Sequence, residues 1–571
     1  MNELKKKSFF TVVIGNPPYS IMSGNLSQEA RRIVDSFRFV DGELIREKMA
    51  LNVERTIQDD YVKFFALARN LISTSGSGVL GYISNNSYQS NINLRGMRNE
   101  LFRIFKQIEI VDLHGAALHK QTDDFGQKDE NVFDIRTAVA IFIGSTDSKS
   151  GASSINRCDL IGSRAYKNKV LKVSIATNLT DVAVDPRSPK YIFLPTNREV
   201  EDIFNQGISI EALFNYRASG VKTGKDEVLI DFSKTELKEK LSKFTDPSFS
   251  ESEIAKVFGC NKGHGKMLLS YRKSIEKDEF FDQRIVPLMF TPFDNRFVFY
   301  RKDIVDVHSD DVSRQILSGK NLNLIVVRQV SGRPFTHVFV TRSLANQRSF
   351  YSTLGATFQV PVMHIEDRAN ELAFEGDETN FIFNQARRLI PQELLVNTEN
   401  LLRLFYFIYA QMFSREYRDL FKDELQRDYP RVFKAINFSL FNSISDLGKR
   451  LAKIHCGDEN PTEDPSLNFV GSFNKAVERP SFIDGTIWLD KDQTMGFSGV
   501  PVSVWNLEVG GYQVCEKWLK DRKNRKLSKS DRDQFICVLA TLLETLKIQD
   551  SIDSVIQENG GWEKSFVVPS S

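Results

Sequence analysis

Four consecutive residues, Asn16, Pro17, Pro18 and Tyr19, constrain the fold of this chain more than any other feature of its sequence. They come one residue after an apolar run, residues 9–14, whose continuous hydrophobicity is typical of a buried strand in a parallel sheet. Two prolines cannot continue a hydrogen-bonded ladder, so the strand must end here. Open α/β sheets bind ligands at the carboxyl ends of their strands, which predicts a binding site at this motif. The alternative interpretation is a proline-rich turn that carries an exposed tyrosine.

Downstream of the motif, helical and strand patterns alternate. An amphipathic pattern predicts a helix over residues 60–72, which the glycines at 76 and 78 end. The next predicted segments are a strand over 79–84, a helix over 94–105, a strand over 108–113 and a strand over 138–143. This order predicts an α/β fold with a parallel, doubly wound sheet and room for one antiparallel strand.

Composition limits the class of protein. A chain of 571 residues is too long for one core, so we expect two or three domains. No apolar run is long enough to span a membrane and the N-terminus lacks a signal-peptide core, which predicts a cytoplasmic protein without membrane contact. Its 5 cysteines and 7 histidines are dispersed without a C-x-x-C pair, so we expect no metal site. The net charge of +2 neither supports nor excludes a nucleic-acid partner.

An Asn-Pro-Pro-Tyr motif at a strand end resembles the catalytic motif of DNA amino-methyltransferases, in particular those acting on adenine. The elements after it resemble the second half of a class I methyltransferase domain, which implies a partial, Rossmann-like sheet over residues 1–150. The resemblance implies that Asn16, Pro17, Pro18 and Tyr19 are catalytic. The adenine amine is a poor nucleophile because its lone pair is delocalised, and acceptors at the Asn16 side chain and the Pro17 carbonyl would localise it.

The same resemblance implies that the flipped adenine stacks on aromatic rings. Tyr19 offers one face, and Phe133, just before the strand predicted at 138–143, matches the aromatic residue that stacks on the base in that family. The alternative for Phe133 is an ordinary core phenylalanine at the entrance of a strand.

The family's usual order places a cofactor half first, with a glycine-rich turn and an acidic residue that holds the ribose. Here only thirteen residues come before Ile14, the last residue of the first strand's apolar run. The glycine-rich segments at 259–265, 332 and 509–512 do not fit the family's cofactor-binding pattern. We therefore expect a truncated coding sequence or a split enzyme whose S-adenosylmethionine site is completed by another polypeptide. We do not expect this chain to bind S-adenosylmethionine unaided.

The rest of the chain resembles the target-recognition region of Type ISP restriction–modification enzymes. Six segments occur in the expected order, at residues 213–226, 289–300, 319–329, 337–341, 405–418 with the following turn at 428–432, and 504–523. The resemblance implies a connection over 151–190 and a mixed α+β DNA target-recognition domain over 191–571 with a helical C-terminal part. Basic and polar residues that we predict to contact DNA are Lys222, Thr223, Lys225, Arg296 and Arg328. The alternative for each is a solvated surface residue.

Together these features predict an adenine-specific DNA methyltransferase and specificity portion of a restriction–modification or related phage-defence enzyme. Its partners would be double-stranded DNA and an upstream subunit that carries the cofactor motif, with a helicase or nuclease. The alternatives are a non-catalytic DNA-recognition subunit, and a methyltransferase for RNA or protein.

Overall fold

The computed structural model describes residues 12–19, 24, 27–46, 50–115, 129–147, 151, 153–173, 181–317, 319–330, 333–352, 355–364, 378–391, 394–395, 397–471 and 475–567. They belong to two compact units, Met1–Arg198 and Glu199–Ser571. Both units mix helices with β-sheets. Among the described residues, no helix combines the length and apolar composition needed to cross a bilayer.

The first unit is built on a six-stranded sheet and a small hairpin. Its strands are β1 (Val12–Gly15), β2 (Phe39–Val40), β3 (Glu43–Leu44), β4 (Val79–Asn85), β5 (Gln107–Asp112), β6 (Val139–Ser145), β7 (Ser154–Asp159) and β8 (Val182–Val184). The sheet order is β1–β4–β6–β5–β7–β8. β1 is parallel to β4 and β5 is parallel to β7, whereas β6 lies antiparallel between β4 and β5. β8 is antiparallel to β7.

The described helices of this unit are α1 (Gln28–Arg32), α2 (Ala50–Ile57), α3 (Asp60–Ser75), α4 (Arg95–Ile104) and α5 (Arg164–Val173). Two of these five helices, α3 and α4, lie where the sequence predicts helices. α3 ends because Gly76 adopts a φ of 78°, and its N–H closes the last turn on Ile72. The buried face of α3 packs on the sheet, where the rings of Phe65 and Tyr82 lie 5.2 Å apart edge to face.

Residues 151–190, which the sequence analysis assigns to a connection, add two strands and a helix to the first unit. β7 pairs with β5 along its whole length. Ile155, Arg157 and Cys158 are buried there. The polar composition on either side of this short strand hides it in the sequence, because local polarity does not register burial against a neighbouring strand.

The first strand also differs from the prediction. β1 is parallel, but it is not buried on both faces: Val12 is 55% and Ile14 82% exposed. Among the described residues β1 pairs with β4 alone. An apolar strand at the open edge of a sheet normally requires a covering element.

The second unit contains several separate sheets. Its strands are β9 (Ile208–Ser209), β10 (Ala218–Ser219), β11 (Ile230–Asp231), β12 (Ile285–Thr291), β13 (Asp294–Phe299), β14 (Asn323–Val326), β15 (Val338–Thr341), β16 (Leu344–Ala345), β17 (Phe358–Pro361), β18 (Met363–His364), β19 (Glu378–Thr379), β20 (Arg431–Val432), β21 (Lys434–Ala435), β22 (Asn468–Gly471), β23 (Ser481–Ile483), β24 (Thr486–Trp488), β25 (Met495–Ser498), β26 (Glu508–Val509), β27 (Tyr512–Gln513) and β28 (Phe566–Val567). The four-stranded sheets have the orders β10–β17–β14–β15, β11–β13–β12–β16 and β22–β25–β24–β23.

The helices of the second unit are α6 (Arg198–Gln206), α7 (Ile210–Leu213), α8 (Asp226–Leu229), α9 (Lys234–Thr245), α10 (Glu251–Val257), α11 (Gly263–Leu268), α12 (Arg272–Glu276), α13 (Phe281–Arg284), α14 (Asp310–Leu317), α15 (Phe383–Ala386), α16 (Thr398–Phe413), α17 (Arg415–Leu420), α18 (Lys422–Arg427), α19 (Phe438–Cys456), α20 (Val502–Trp505), α21 (Val514–Lys520), α22 (Lys529–Glu558) and α23 (Trp562–Ser565). α16, α19 and α22 pack together in its C-terminal part. Gly448 permits this, because a Cβ there would lie 2.0 Å from the Tyr406 carbonyl oxygen.

Candidate active site

The Asn-Pro-Pro-Tyr motif forms the loop at the carboxyl end of β1. Asn16 is exposed and Pro17 is buried, while the Tyr19 hydroxyl donates a 2.7 Å hydrogen bond to the Asn16 side-chain oxygen. Gly15 is required just before the loop, because a Cβ at this position would lie 2.9 Å from the Tyr82 ring. The loop therefore presents one amide oxygen at the surface with its orientation fixed by the neighbouring phenol.

Tyr19 and Phe133 come together at this loop, as the sequence predicts for a pair of aromatic faces. Their ring centroids lie 6.1 Å apart, and the ring planes make an angle of 46°. Both rings are half-buried against an apolar cluster that includes Val111 and Leu113. Burial raises the pKa of Tyr19 to about 12, so its hydroxyl stays protonated at neutral pH.

The backbone around Phe133 is held by Asn131. The Asn131 side-chain oxygen accepts a 2.9 Å bond from the Phe133 N–H, and its amide nitrogen donates to the carbonyls of Gly115 and Thr137. The buried Lys167 ammonium lies 2.6 Å from the carboxylate of Asp129 and also bonds nearby carbonyls. These contacts fix the loop that carries Phe133 to the end of β5.

A buried polar network occupies the same edge of the sheet, and the sequence analysis missed it. The Asp112 carboxylate at the end of β5 accepts bonds from Asn86, from Gln89 at 2.8 Å and from Arg157 at 3.0 Å. The backbone N–H of His114 also donates to the Asp112 carboxylate, at 3.0 Å. The signal in the sequence is Asp112 near the carboxyl end of the strand predicted at 108–113, whereas Asp159 ends β7, a strand that was not predicted from the sequence.

His114 and Asp159 complete the network on the solvent side. Burial disfavours the imidazolium, but the hydrogen bond to Asp159 and the charge of Asp112 outweigh it and raise the pKa of His114. Burial of Asp159 is likewise outweighed by its bonds to His114 and Arg157, which lower its pKa to about 2. Ligand atoms of Asp112, His114 and Asp159 lie within 4.8 Å of one another, a spacing suited to a metal ion. The Arg157 guanidinium already pairs with both carboxylates, so a protein cation offsets part of their charge.

The residues predicted to contact DNA lie in the second unit and are largely engaged internally. Lys222 pairs with an aspartate, Lys225 with a glutamate at 3.3 Å, and Arg328 with an aspartate at 3.5 Å. Thr223 is buried with its hydroxyl bonded to a neighbouring carboxylate. Arg296 is also buried, so neither Thr223 nor Arg296 can reach a phosphate in this conformation.

Two family descriptions match the chain. "Type ISP C-terminal specificity domain" matches residues 212–544, more than half of the chain, and "Eco57I restriction-modification methylase" matches residues 1–118. The chain belongs to the Type ISP specificity-domain family. The resemblance to Type ISP enzymes predicted from the sequence motifs is thereby confirmed.

Solved structures of three proteins in complex with DNA or a DNA mimic share the fold. The "ATP-dependent Type ISP restriction-modification enzyme LlaBIII bound to DNA" is 19% identical with a TM-score of 0.71, covering 96% of this chain and 37% of its own. A nuclease-deletion mutant of the Type ISP enzyme LlaGI with a DNA substrate mimic is 17% identical, with a TM-score of 0.71 and coverages of 96% and 53%. The protein in the DrdV–DNA complex is 18% identical with a TM-score of 0.71, and the match covers 98% of this chain and 58% of that protein. The chain thus spans less than two thirds of each of these proteins, and a search of curated proteins finds no match.

Within the Type ISP domain, two segments noted in the sequence meet in space. The Asp294 carboxylate, which is fully buried, accepts a 3.0 Å bond from Arg522 and a 2.6 Å bond from Arg296. Arg296 also bonds Asp521 at 2.6 Å. The Arg522 guanidinium lies 3.4 Å from the centre of the Trp518 ring. These signature residues of the Type ISP resemblance therefore hold β13 to the end of α21.

Proposed function

We propose that this chain is the target-base and DNA-recognition portion of an adenine-specific DNA methyltransferase in a Type ISP restriction–modification enzyme. The reaction transfers a methyl group from S-adenosylmethionine to the exocyclic amine of an adenine flipped out of duplex DNA. The observation that carries the proposal is the meeting of Tyr19 and Phe133, 6.1 Å apart, beside the exposed Asn16 oxygen. The match of residues 1–118 to a restriction–modification methylase family supports it.

In this proposal Asn16 and Pro17 act as hydrogen-bond acceptors. The Asn16 side-chain oxygen and the Pro17 carbonyl take the two hydrogens of the adenine amine and favour a localised lone pair. The Asn16 oxygen already accepts from the Tyr19 hydroxyl, but a carbonyl oxygen has two lone pairs and can accept a second hydrogen. Pro18 stiffens the loop, so that both acceptors are in place before the base arrives.

Tyr19 and Phe133 hold the flipped base by stacking. The two rings contact each other in this structure, so a base between them requires one ring to turn aside. The polar network at Asp112 and Arg157 supports this edge of the sheet, because it links the ends of β5 and β7.

Among the described residues, the glycine-rich segments noted in the sequence lack the strand–turn–helix arrangement that is typical of a cofactor-binding turn. Gly263 begins α11, which follows α10 and not a strand, and Gly510 and Gly511 form the turn between two antiparallel strands, β26 and β27. In the proposal another polypeptide, or another part of a longer chain, supplies the cofactor half. The exposed Val12 and Ile14 of β1 are the surface that this half would cover.

Duplex DNA is the proposed partner of the second unit. The matched enzymes are described as bound to DNA or to a DNA substrate mimic, and the family description names a specificity domain. We assign base recognition to residues 191–571 and the chemistry to residues 1–150. An upstream subunit with the cofactor motif, together with a helicase or nuclease, completes the proposed assembly.

The test is methyl transfer from labelled S-adenosylmethionine to duplex DNA, with the chain alone and co-expressed with the product of its upstream reading frame. Hydrolysed DNA is analysed for N6-methyladenine. Asn16→Ala should abolish methylation while sparing DNA affinity, and Asn70→Ala, at an exposed position of α3, is the matched control. Equal activity of Asn16→Ala and the parent would refute the assignment. DNA binding by a parent assembly that never methylates would indicate the alternative, a non-catalytic recognition subunit.

A further inference from the structure

We propose that Arg333 and Arg348, in the second unit, bind phosphates of duplex DNA. With Tyr351 and Tyr512 they form one patch, hereafter the arginine surface. This inference rests on the proposed function and names the surface by which the Type ISP domain holds DNA. Arg333 is half-buried and Arg348 is exposed.

Arg333, Tyr351 and Tyr512 are joined by side-chain contacts, and Arg348 is joined to them through its main-chain carbonyl. The Arg333 guanidinium lies 4.8 Å from the centre of the Tyr351 ring, whose centroid lies 5.9 Å from that of Tyr512. The Tyr512 hydroxyl donates to the Arg348 carbonyl at 3.4 Å. Both tyrosine rings are partly exposed, so the patch presents aromatic surface beside the Arg333 guanidinium.

Charge is what distinguishes Arg333 and Arg348 from the other basic residues considered for DNA contact. Arg333 donates to the Gly511 carbonyl at 3.1 Å, and Arg348 donates to the Ser352 carbonyl at 3.0 Å. Carbonyl oxygens orient a guanidinium without cancelling its charge. Within the described part of the chain, neither guanidinium forms an ion pair. Both positive charges therefore remain available to a polyanion.

The other basic residues considered for DNA contact are neutralised. Lys222, Lys225, Arg296 and Arg328 each pair with a carboxylate. Lys517 lies 5.3 Å from the Tyr512 ring centre, close to the arginine surface, but its ammonium bonds Asp521 at 2.6 Å. A phosphate would have to compete with these carboxylates, whereas at Arg333 and Arg348 it displaces only water and counterions.

The backbone that carries the arginine surface is fixed in advance. The Tyr351 N–H donates to the Gly510 carbonyl at 2.7 Å, and the Tyr351 carbonyl accepts from the buried His337 at 2.8 Å. The Arg348 N–H bonds the Asn346 side chain at 2.8 Å. Binding then orders little beyond the two arginine side chains, which lowers its entropic cost.

Two glycines make this close packing possible. Gly510 and Gly511 have φ values of 64° and 75°, as a two-residue hairpin turn requires. A Cβ on Gly510 would lie 2.3 Å from the Phe350 ring, and one on Gly511 would lie 2.7 Å from His337. The glycine-rich segment noted at 509–512 therefore has a structural role, which is to build the turn beside the arginine surface.

The salt dependence of DNA binding tests the proposal. The slope of log K against log salt is negative, and each lost phosphate contact should reduce its magnitude by about 0.9, so Arg333→Gln with Arg348→Gln should reduce it by about 1.8. Arg333→Lys with Arg348→Lys keeps both charges and should keep most of the slope. Arg314→Gln, which removes an exposed arginine paired with Asp311 at 3.4 Å, is the matched control and should leave the slope unchanged.

The measurement is fluorescence anisotropy of a labelled, mixed-sequence duplex titrated with the full chain at several NaCl concentrations. Circular dichroism verifies that each variant is folded. The proposal is supported if the magnitude of the slope falls in the double Gln variant and stays close to that of the parent in the double Lys and Arg314→Gln variants. If the double Gln variant has the same slope as the parent, the role of Arg333 and Arg348 is refuted, while the proposed function stays intact. A folded parent that binds no duplex at any salt concentration overturns DNA recognition itself.

Discussion

The Tyr19 hydroxyl donates a 2.7 Å hydrogen bond to the Asn16 side-chain oxygen, and this bond fixes how the amide faces the site. Tyr19→Phe keeps the ring and removes the donor. A neutral hydrogen bond contributes about 0.5–1.5 kcal/mol net, so we expect the methyl-transfer rate constant to fall about two- to tenfold. Single-turnover kinetics measure this. Tyr166→Phe, at an exposed tyrosine of the same unit, is the control, and an unchanged rate for Tyr19→Phe would contradict the orienting role.

Phe133 supplies the second aromatic face of the site, 6.1 Å from Tyr19. Phe133→Ala removes a stacking partner, and base–aromatic stacking contributes about 1–3 kcal/mol per base. We expect methyl transfer to fall and the fluorescence of 2-aminopurine at the target position to decrease, since the flipped state loses its support. Phe133→Trp should preserve both signals. If Phe133→Ala and Phe133→Trp behave alike, Phe133 is only a core residue.

Local patterns were sufficient to predict several of the regular elements between residues 60 and 145 of the first unit. The helix predicted over 60–72 is found as Asp60–Ser75, and the strand predicted over 79–84 is found as Val79–Asn85. Both follow from hydrophobic periodicity and from a glycine that ends the helix. The position of Asn16 after β1 follows from the two prolines. The proximity of Tyr19 and Phe133 came from the family resemblance, because no local pattern relates residues so far apart.

Contacts between distant segments account for what the sequence did not reveal. Arg296 looks like a surface cation because nothing near it shows that Asp521 and Arg522 pack against the same strand. The network of Asp112 and Arg157 depends on β5 lying beside β7, which is a property of sheet order. In both cases side-chain roles follow from tertiary pairing, which local composition does not encode.

The pKa of His114 should be above the ordinary value for histidine, because its hydrogen bond to Asp159 and the charge of Asp112 outweigh the effect of burial. The raised value means that ionised His114 stabilises the fold below the unfolded-state pKa of histidine. That contribution is lost as the pH rises through the raised pKa. Histidine NMR titration measures it, with His114→Gln to assign the signal. Asp159→Asn should lower the pKa, and an identical titration in that variant would exclude the pairing.

Asp294 and Arg522 form a buried ion pair between β13 and the end of α21. Removing one member leaves the other charge buried, which typically costs about 3–5 kcal/mol. Arg522→Met would leave Asp294 paired with Arg296, so the informative variant is Asp294→Leu, which removes the nearest carboxylate from the buried Arg522 guanidinium and should lower the free energy of unfolding of the second unit by about this amount. All 4 tryptophans lie in that unit, so tryptophan fluorescence during urea unfolding reports on it alone. Lys520→Gln, in an exposed pair on α21, is the control and should change stability little.

Ile14 is the most exposed apolar side chain of β1, at 82%, and it lies on the edge of the sheet where the proposed cofactor half would bind. Ile14→Asp should change the stability of the isolated chain by no more than about 0.5 kcal/mol, because the side chain is already in water. The variant should instead lose association with the co-expressed upstream product, since a charge would then have to be buried at the interface. Analytical ultracentrifugation and methyl transfer by the mixture measure this. Ile483→Asp, at an exposed position of β23, should associate normally. If Ile14→Asp assembles and methylates as the parent does, this edge is not the contact surface and the cofactor half binds elsewhere.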